Sequence, residues 1–198
     1  QSQTALLIFS SERPVFLREY ATNHYTILPY FLSKLVAEAL QSFVAMVVLD
    51  LIAYFMIGIQ MNFFIFFLLC YALALTTTAV CVLLGSYFTD AKMAMAFFPL
   101  VVVPQFYFSG IFIATNLIPV WVSWIQYLCS LKYAAGLAII YEFSNCDAGD
   151  AENCMLIMEQ NNVNPDDAWW YWLAMCGLFV VLRVAAILVL RKRGRFFS

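Results

Sequence analysis

The sequence predicts an all-α integral membrane protein: a bundle of transmembrane helices with shorter helices at the outer surface. Three observations predict it. First, the 198 residues are 65% hydrophobic and 11% charged, with mean hydropathy +0.86, against roughly half apolar and a quarter charged in soluble domains. Second, the runs 35–59, 63–88, 93–113 and 169–190 each reach the about 20 apolar residues that a span requires. Third, the charges are sided. Arg13, Arg18, Lys34, Lys92, Arg191, Lys192, Arg193 and Arg195 fall in the loops and tail of one side. The other side holds Lys132 with Glu142, Asp147, Asp150, Glu152, Glu159, Asp166 and Asp167. By the positive-inside rule the basic side is cytoplasmic. The net charge of −2 is divided by side rather than pooled in a basic patch, so by itself it says nothing about nucleic acid, and no nucleic-acid partner is expected.

Residues 1–11 open without Met on an apolar stub that reads as the end of a helix begun upstream, so the chain reads as a fragment. The cytoplasmic segment 12–24 follows. Its charge cluster, Glu12-Arg-Pro-Val-Phe-Leu-Arg-Glu19, has Pro14 where a first helical turn tolerates it, and Phe16 lies four residues before Tyr20. That pattern fits a short amphipathic surface helix, or a solvated loop whose arginines anchor the topology. The span 35–59 carries Glu38, Gln41 and Asp50. Ionisable groups at that depth are costly and face a bundle interior or a wet path. Glu38 is near enough to the cytoplasmic end to reach the interface beside Lys34, whereas Asp50, nearer the middle, calls for a polar partner or a carboxyl that stays protonated.

Residues 58–62 form an external turn. Thr76, Thr77 and Thr78 in the span 63–88 can bond back one turn or across to a neighbour. The span 93–113 contains Pro99 and Pro104, each of which removes a backbone bond and favours a kink. Segment 117–141 is rich in Trp and Tyr and is broken by Pro119, Lys132 and Gly136. Two short helices re-entering the outer leaflet suit it better than a fifth crossing, which would place the acidic loop 142–167 inside. Asp166-Asp167-Ala-Trp-Trp-Tyr-Trp172 is an interfacial belt leading into the span 169–190. Arg183 lies in that span, close enough to the cytoplasmic end to snorkel, and the tail 191–198 stops the helix.

No G-x-x-x-x-G-K-[S/T] phosphate loop occurs, His24 is the sole histidine, and neither a metal-ligand cluster nor a catalytic pair stands out. Cys70, Cys81, Cys129 and Cys176 read as apolar filler. On the residues alone this is a channel, carrier or transporter module whose energy source, if any, lies elsewhere.

The order of segments resembles the second half of the transmembrane domain of G-subfamily (White-type, ABC-2 type) ABC transporters. The resemblance runs through Glu12-Arg-Pro-Val-Phe-Leu-Arg-Glu-Tyr20, Tyr30-Phe-Leu-Ser-Lys-Leu35, Tyr54-Phe-Met-Ile-Gly58 and Phe108-Ser-Gly110. It continues in Pro119-Val-Trp-Val-Ser-Trp-Ile-Gln-Tyr127, Tyr133-Ala-Ala-Gly136 and Glu142-Phe143. It implies that residues 1–11 end helix 2 of a six-helix exporter domain and that the four runs are helices 3 to 6. It further implies that Glu12, Arg13, Phe16, Arg18 and Glu19 belong to a coupling helix resting on an ATPase domain. Ile111 and Phe112 fall at the apolar gate, where many members have leucines, and Leu100, Val103 and Phe106 face the substrate cavity. Cys146 and Cys154 match an external-loop disulfide.

The same resemblance implies ATP and Mg in a nucleotide-binding domain upstream, none being bound in this stretch. It also implies a homo- or heterodimeric partner half, membrane lipid around the helices, a plasma-membrane location and a cytoplasmic C-terminus. The cavity residues are apolar and aromatic, so lipids, sterols or amphipathic compounds are the expected cargo. The alternative is a polytopic channel or carrier without an ATPase.

Overall fold

The computed structural model describes residues 6–8, 27–88, 90–110, 123–143, 151–161 and 163–194. No strand occurs among them. Four of their helices are long and apolar enough to cross a membrane: α1 (Ile27–Ile57), α2 (Phe63–Tyr87), α3 (Ala91–Phe108) and α6 (Ala168–Gly194). Between α3 and α6 in the chain come a 3₁₀ helix (Ser123–Leu128), α4 (Ser130–Phe143), α5 (Ala151–Gln160) and a second 3₁₀ turn (Pro165–Asp167). The protein is an all-helical, multi-pass membrane protein.

Breakers and caps set the helix ends. α1 begins eight residues before the hydropathic run because Pro29 stands in its first turn, where the missing N–H is not needed. It ends at Gly58, whose φ of 71° is left-handed. Its N–H donates to the Tyr54 carbonyl at 3.1 Å, as a helix-terminating glycine does. The 31 residues of α1 give a length of about 46 Å at ~1.5 Å per residue. That exceeds the about 30 Å hydrocarbon core, so the helix tilts or emerges at one end.

Asn62 caps α2: its Oδ1 accepts the Phe64 N–H at 3.0 Å, which satisfies one of the orphan donors of the first turn. Inside α2, the Thr77 and Thr78 hydroxyls donate to the carbonyls of Ala74 and Leu75, each at 2.9 Å. Three-residue back-bonding of this kind hides hydroxyls from lipid. α3 runs unbroken through Pro99 and Pro104. The Asp90 carbonyl accepts the Ala94 N–H at 3.1 Å at its start, and Gly110 with φ 87° follows its end. α6 continues through Arg191 and Lys192 to Gly194 rather than stopping at the basic tail.

The chain divides into two compact units. The first comprises residues 1–45, 74–101 and 179–198, and the second 46–73 and 102–178. In the first, Phe31, Val82, Ala186 and Leu190 join α1, α2 and α6, while Leu6, Cys81 and Ala94 join residues 6–8 to α2 and α3. In the second, Leu69, Tyr133, Ala134, Leu137 and Met175 join α2, α4 and α6. Alanines recur in these cores because, in lipid, helices associate by close packing rather than by the hydrophobic effect. Large side chains such as Phe55 (77% exposed) and Phe64 (78%) point outward, which only an apolar solvent makes favourable.

Charge follows the same division. Among the described side chains, the first unit holds Lys34, Lys92, Arg183, Arg191 and Lys192 with Glu38 and Asp90. The second holds Lys132 with Asp50, Glu142, Glu159, Asp166 and Asp167.

Gly136 makes one close approach possible. A Cβ there would lie 3.6 Å from the Tyr171 ring. Gly136→Ala therefore fits as an ordinary contact. Gly136→Leu must displace the ring, and its melting temperature in detergent falls, for a cost of about 1–3 kcal/mol. Equal melting temperatures for the two variants would show that α4 and α6 pack more loosely here.

Candidate functional site: polar groups within the apolar helices

Phe31, Glu38, Ser42 and Asp50 recur at helical spacing along one face of α1. Phe31, Ser42 and Asp50 are buried, while Gln41 points outward. Two of these residues carry charge into the apolar region, and the structure treats them differently.

Glu38 takes Arg183 of α6 as its partner. Arg183 Nη2 donates to Glu38 Oε2 at 2.7 Å, with the two side chains 6% and 13% exposed. The guanidinium is 5.8 Å from the centroid of the Phe31 ring and 5.4 Å from that of Phe179. Both distances are within the range for cation–π attraction. Its Nε is buried, with no hydrogen-bond partner among the described residues. In lipid a lone guanidinium or carboxylate is costly, whereas the pair is neutral and partly satisfied. Arg183 accordingly stays inside instead of snorkelling.

Asp50, in the second unit, is 5% exposed. Cys70 of α2 is a side-chain hydrogen-bond partner of its carboxyl, and its Oδ2 has no hydrogen-bond partner among the described residues. Cys70, Cys81, Cys129 and Cys176 are free thiols.

Two polar constructions stand outside the spans. Lys132 Nζ donates to Gln126 Oε1 at 3.0 Å and lies 4.6 Å over the Tyr127 ring. Burial lowers its pKa, opposed by the neighbouring Cys129. Tyr127 is itself held, its carbonyl accepting the Tyr133 hydroxyl at 2.9 Å. Glu142, near the end of α4, accepts the N–H of Gln60 on Oε1 at 3.0 Å and that of Met61 on Oε2 at 3.1 Å.

Leu100, Val103 and Phe106 of α3 are exposed, at 66%, 48% and 45%. Leu100 belongs to the first unit and the other two to the second. Glu12, Arg13, Phe16, Arg18, Glu19, Ile111, Phe112 and Cys146 lie outside the described residues, as does the side chain of Cys154. No group of three or more candidate metal ligands occurs among the described residues. Sequence reasoning marked Glu38 and Arg183 separately but did not join them. The available signal was two acids, Glu38 and Asp50, in one apolar run and a single base, Arg183, in another. For Glu142 the signal was an acid in the last turn of a helix, where the helix dipole disfavours it.

The family description "ABC-2 type transporter" matches residues 1–143. The chain is 30% identical over 201 residues to "Protein white" of Drosophila melanogaster, covering 95% of this chain and 29% of that protein. It is 27% identical over 206 residues to "ABC transporter G family member 1" of Dictyostelium discoideum, covering 95% and 26%. It is 30% identical over 144 residues to "ABC transporter ATP-binding protein/permease wht-1" of Caenorhabditis elegans, covering 70% and 21%. The chain thus spans less than a third of the length of these relatives. Its four apolar crossings, its sided charge and its match over residues 1–143 agree: the chain belongs to the ABC-2 type transporter family, with relatives among the White and G-family ABC transporters.

Proposed function

We propose that this chain is the membrane module of an ATP-driven exporter that moves lipids, sterols or amphipathic compounds. One observation carries the reading. The ABC-2 type transporter family matches residues 1–143, and four helices among the described residues are long and apolar enough to cross a membrane. A relative's printed name, "ATP-binding protein/permease", supports a coupled ATPase. The 198 residues contain no phosphate loop, so ATP and Mg would bind to a nucleotide-binding domain of the same parent chain. The module works as a homo- or heterodimer in the plasma membrane, with residues 12–24 and 191–198 on the cytoplasmic side. Glu12, Arg13, Phe16, Arg18 and Glu19 receive the motion of the ATPase domain. Cargo enters beside Leu100, Val103 and Phe106 and leaves past the apolar gate of Ile111 and Phe112. A Cys146–Cys154 disulfide closes the external loop.

The coupling segment gives the test. Phe16→Ala and charge reversal at Arg18 or Glu19 lower both cargo-stimulated ATPase and export, with unchanged membrane insertion, because a surface helix transmits force only through its contacts. Wild-type export by all three variants would contradict the coupling role.

A further inference from the structure

The external turn between α1 and α2 hangs from one carboxylate. After Gly58 ends α1, the chain crosses to Asn62 in four residues, and two successive amides on the way, those of Gln60 and Met61, both donate to Glu142. The carboxylate is separated from them by 82 and 81 residues along the chain, and each oxygen takes one N–H. The turn is fixed from a second side as well. The Tyr54 hydroxyl donates to the Met61 carbonyl at 3.0 Å, so both backbone polar groups of Met61 are bound, and the Tyr54 ring meets Phe63 edge-on at 5.3 Å. Glu142 stands in the last turn of α4, where no basic residue offsets it. A negative charge there opposes the helix dipole. A residue that goes against its local preference without a local compensation points to a role at longer range.

We infer that Glu142 is a positioning residue for transport: its carboxylate straps the α1–α2 turn to the end of α4, so that the outer ends of α1 and α2 and the short helix α4 move as one body during the transport cycle. The inference rests on the export reading above. It goes beyond that reading by assigning to a residue of neither gate nor cavity the task of holding the outer turn in register. Geometry makes the strap specific. Glu142→Asp keeps the charge but retracts the carboxylate by one methylene, out of reach of two amides that now lie at 3.0 and 3.1 Å. Glu142→Gln keeps the reach but leaves one acceptor oxygen, its nitrogen being a donor that cannot receive the second N–H.

The experiment uses the complete transporter in lipid nanodiscs and proteoliposomes, with E142A, E142D and E142Q beside the wild type. Hydrogen–deuterium exchange is read on peptides covering 58–63, and export as kcat and KM for a fluorescent amphipathic probe. E142A and E142D speed exchange at the Gln60 and Met61 amides by roughly tenfold. They lower the kcat for export by a similar factor and leave KM for the probe unchanged. E142Q falls between them and the wild type on both readings. Unchanged exchange at 58–63 in E142A and E142D would overturn the strap itself. Faster exchange with wild-type export would overturn its positioning role. A full-activity E142D would reduce Glu142 to a matter of charge. The exchange arm needs no transport, so an inactive wild type would count against the export reading and leave the strap to be judged separately.

Discussion

Arg183→Ala will destabilise the protein by about 3–5 kcal/mol, the usual cost of removing one partner of a buried ion pair. The cost comes from the carboxylate left behind. Glu38 has a side chain only 13% exposed and would face an apolar surrounding without the guanidinium that neutralises it. Glu38→Gln strands Arg183 in the same way, between the Phe31 and Phe179 rings. The double change Glu38→Met with Arg183→Leu removes both charges and fills similar volume, so it recovers most of the stability lost in either single variant. Thermal unfolding in detergent of the wild type, Glu38→Met, Arg183→Leu and the double variant measures the coupling as a double-mutant cycle. Additive losses would show that the two residues do not form a pair.

Leu137→Ala should have an effect of similar size, about 2–4 kcal/mol. Leu137 is fully buried at the centre of a cluster with Leu69, Tyr133, Ala134 and Met175. Truncation leaves a void that three helices must close over. In a lipid setting the water-transfer part of the cost shrinks, but the dispersion contacts around the void are lost outright. Leu137→Met, of comparable volume, costs less than about 1.5 kcal/mol. Equal melting temperatures for the Ala variant and the wild type would mean that this cluster does not hold α4 to α2 and α6.

Hydropathy located the four crossings because lipid imposes a length of apolar chain that no soluble fold needs. It located their ends less well. Gly58 closes α1 two residues before the apolar run stops, since a left-handed backbone depends on the glycine and not on its hydropathy. Pro99 and Pro104 favoured a kink, and α3 runs as one helix from Ala91 to Phe108 through both. In the candidate site, the cost of Glu38, Asp50 and Arg183 was legible residue by residue. The choice of partner was not: Glu38 and Arg183 are 145 residues apart, and short-range alternatives, an interfacial lysine for one and snorkelling for the other, looked adequate. The Glu142 strap was invisible for the same reason. It joins a side chain to backbone amides, which carry no sequence signature.

ATP-driven, directional movement of cargo is the central claim, and one measurement addresses it most directly. The complete transporter is reconstituted into proteoliposomes, and a fluorescent amphipathic lipid is followed across the bilayer with ATP and Mg, without nucleotide, and with a non-hydrolysable ATP analogue. The account predicts accumulation of the probe on one side, against its gradient, only where ATP is hydrolysed. Movement at the same rate in all three conditions, stopping when the two sides are equal, would contradict it and identify a channel or carrier instead.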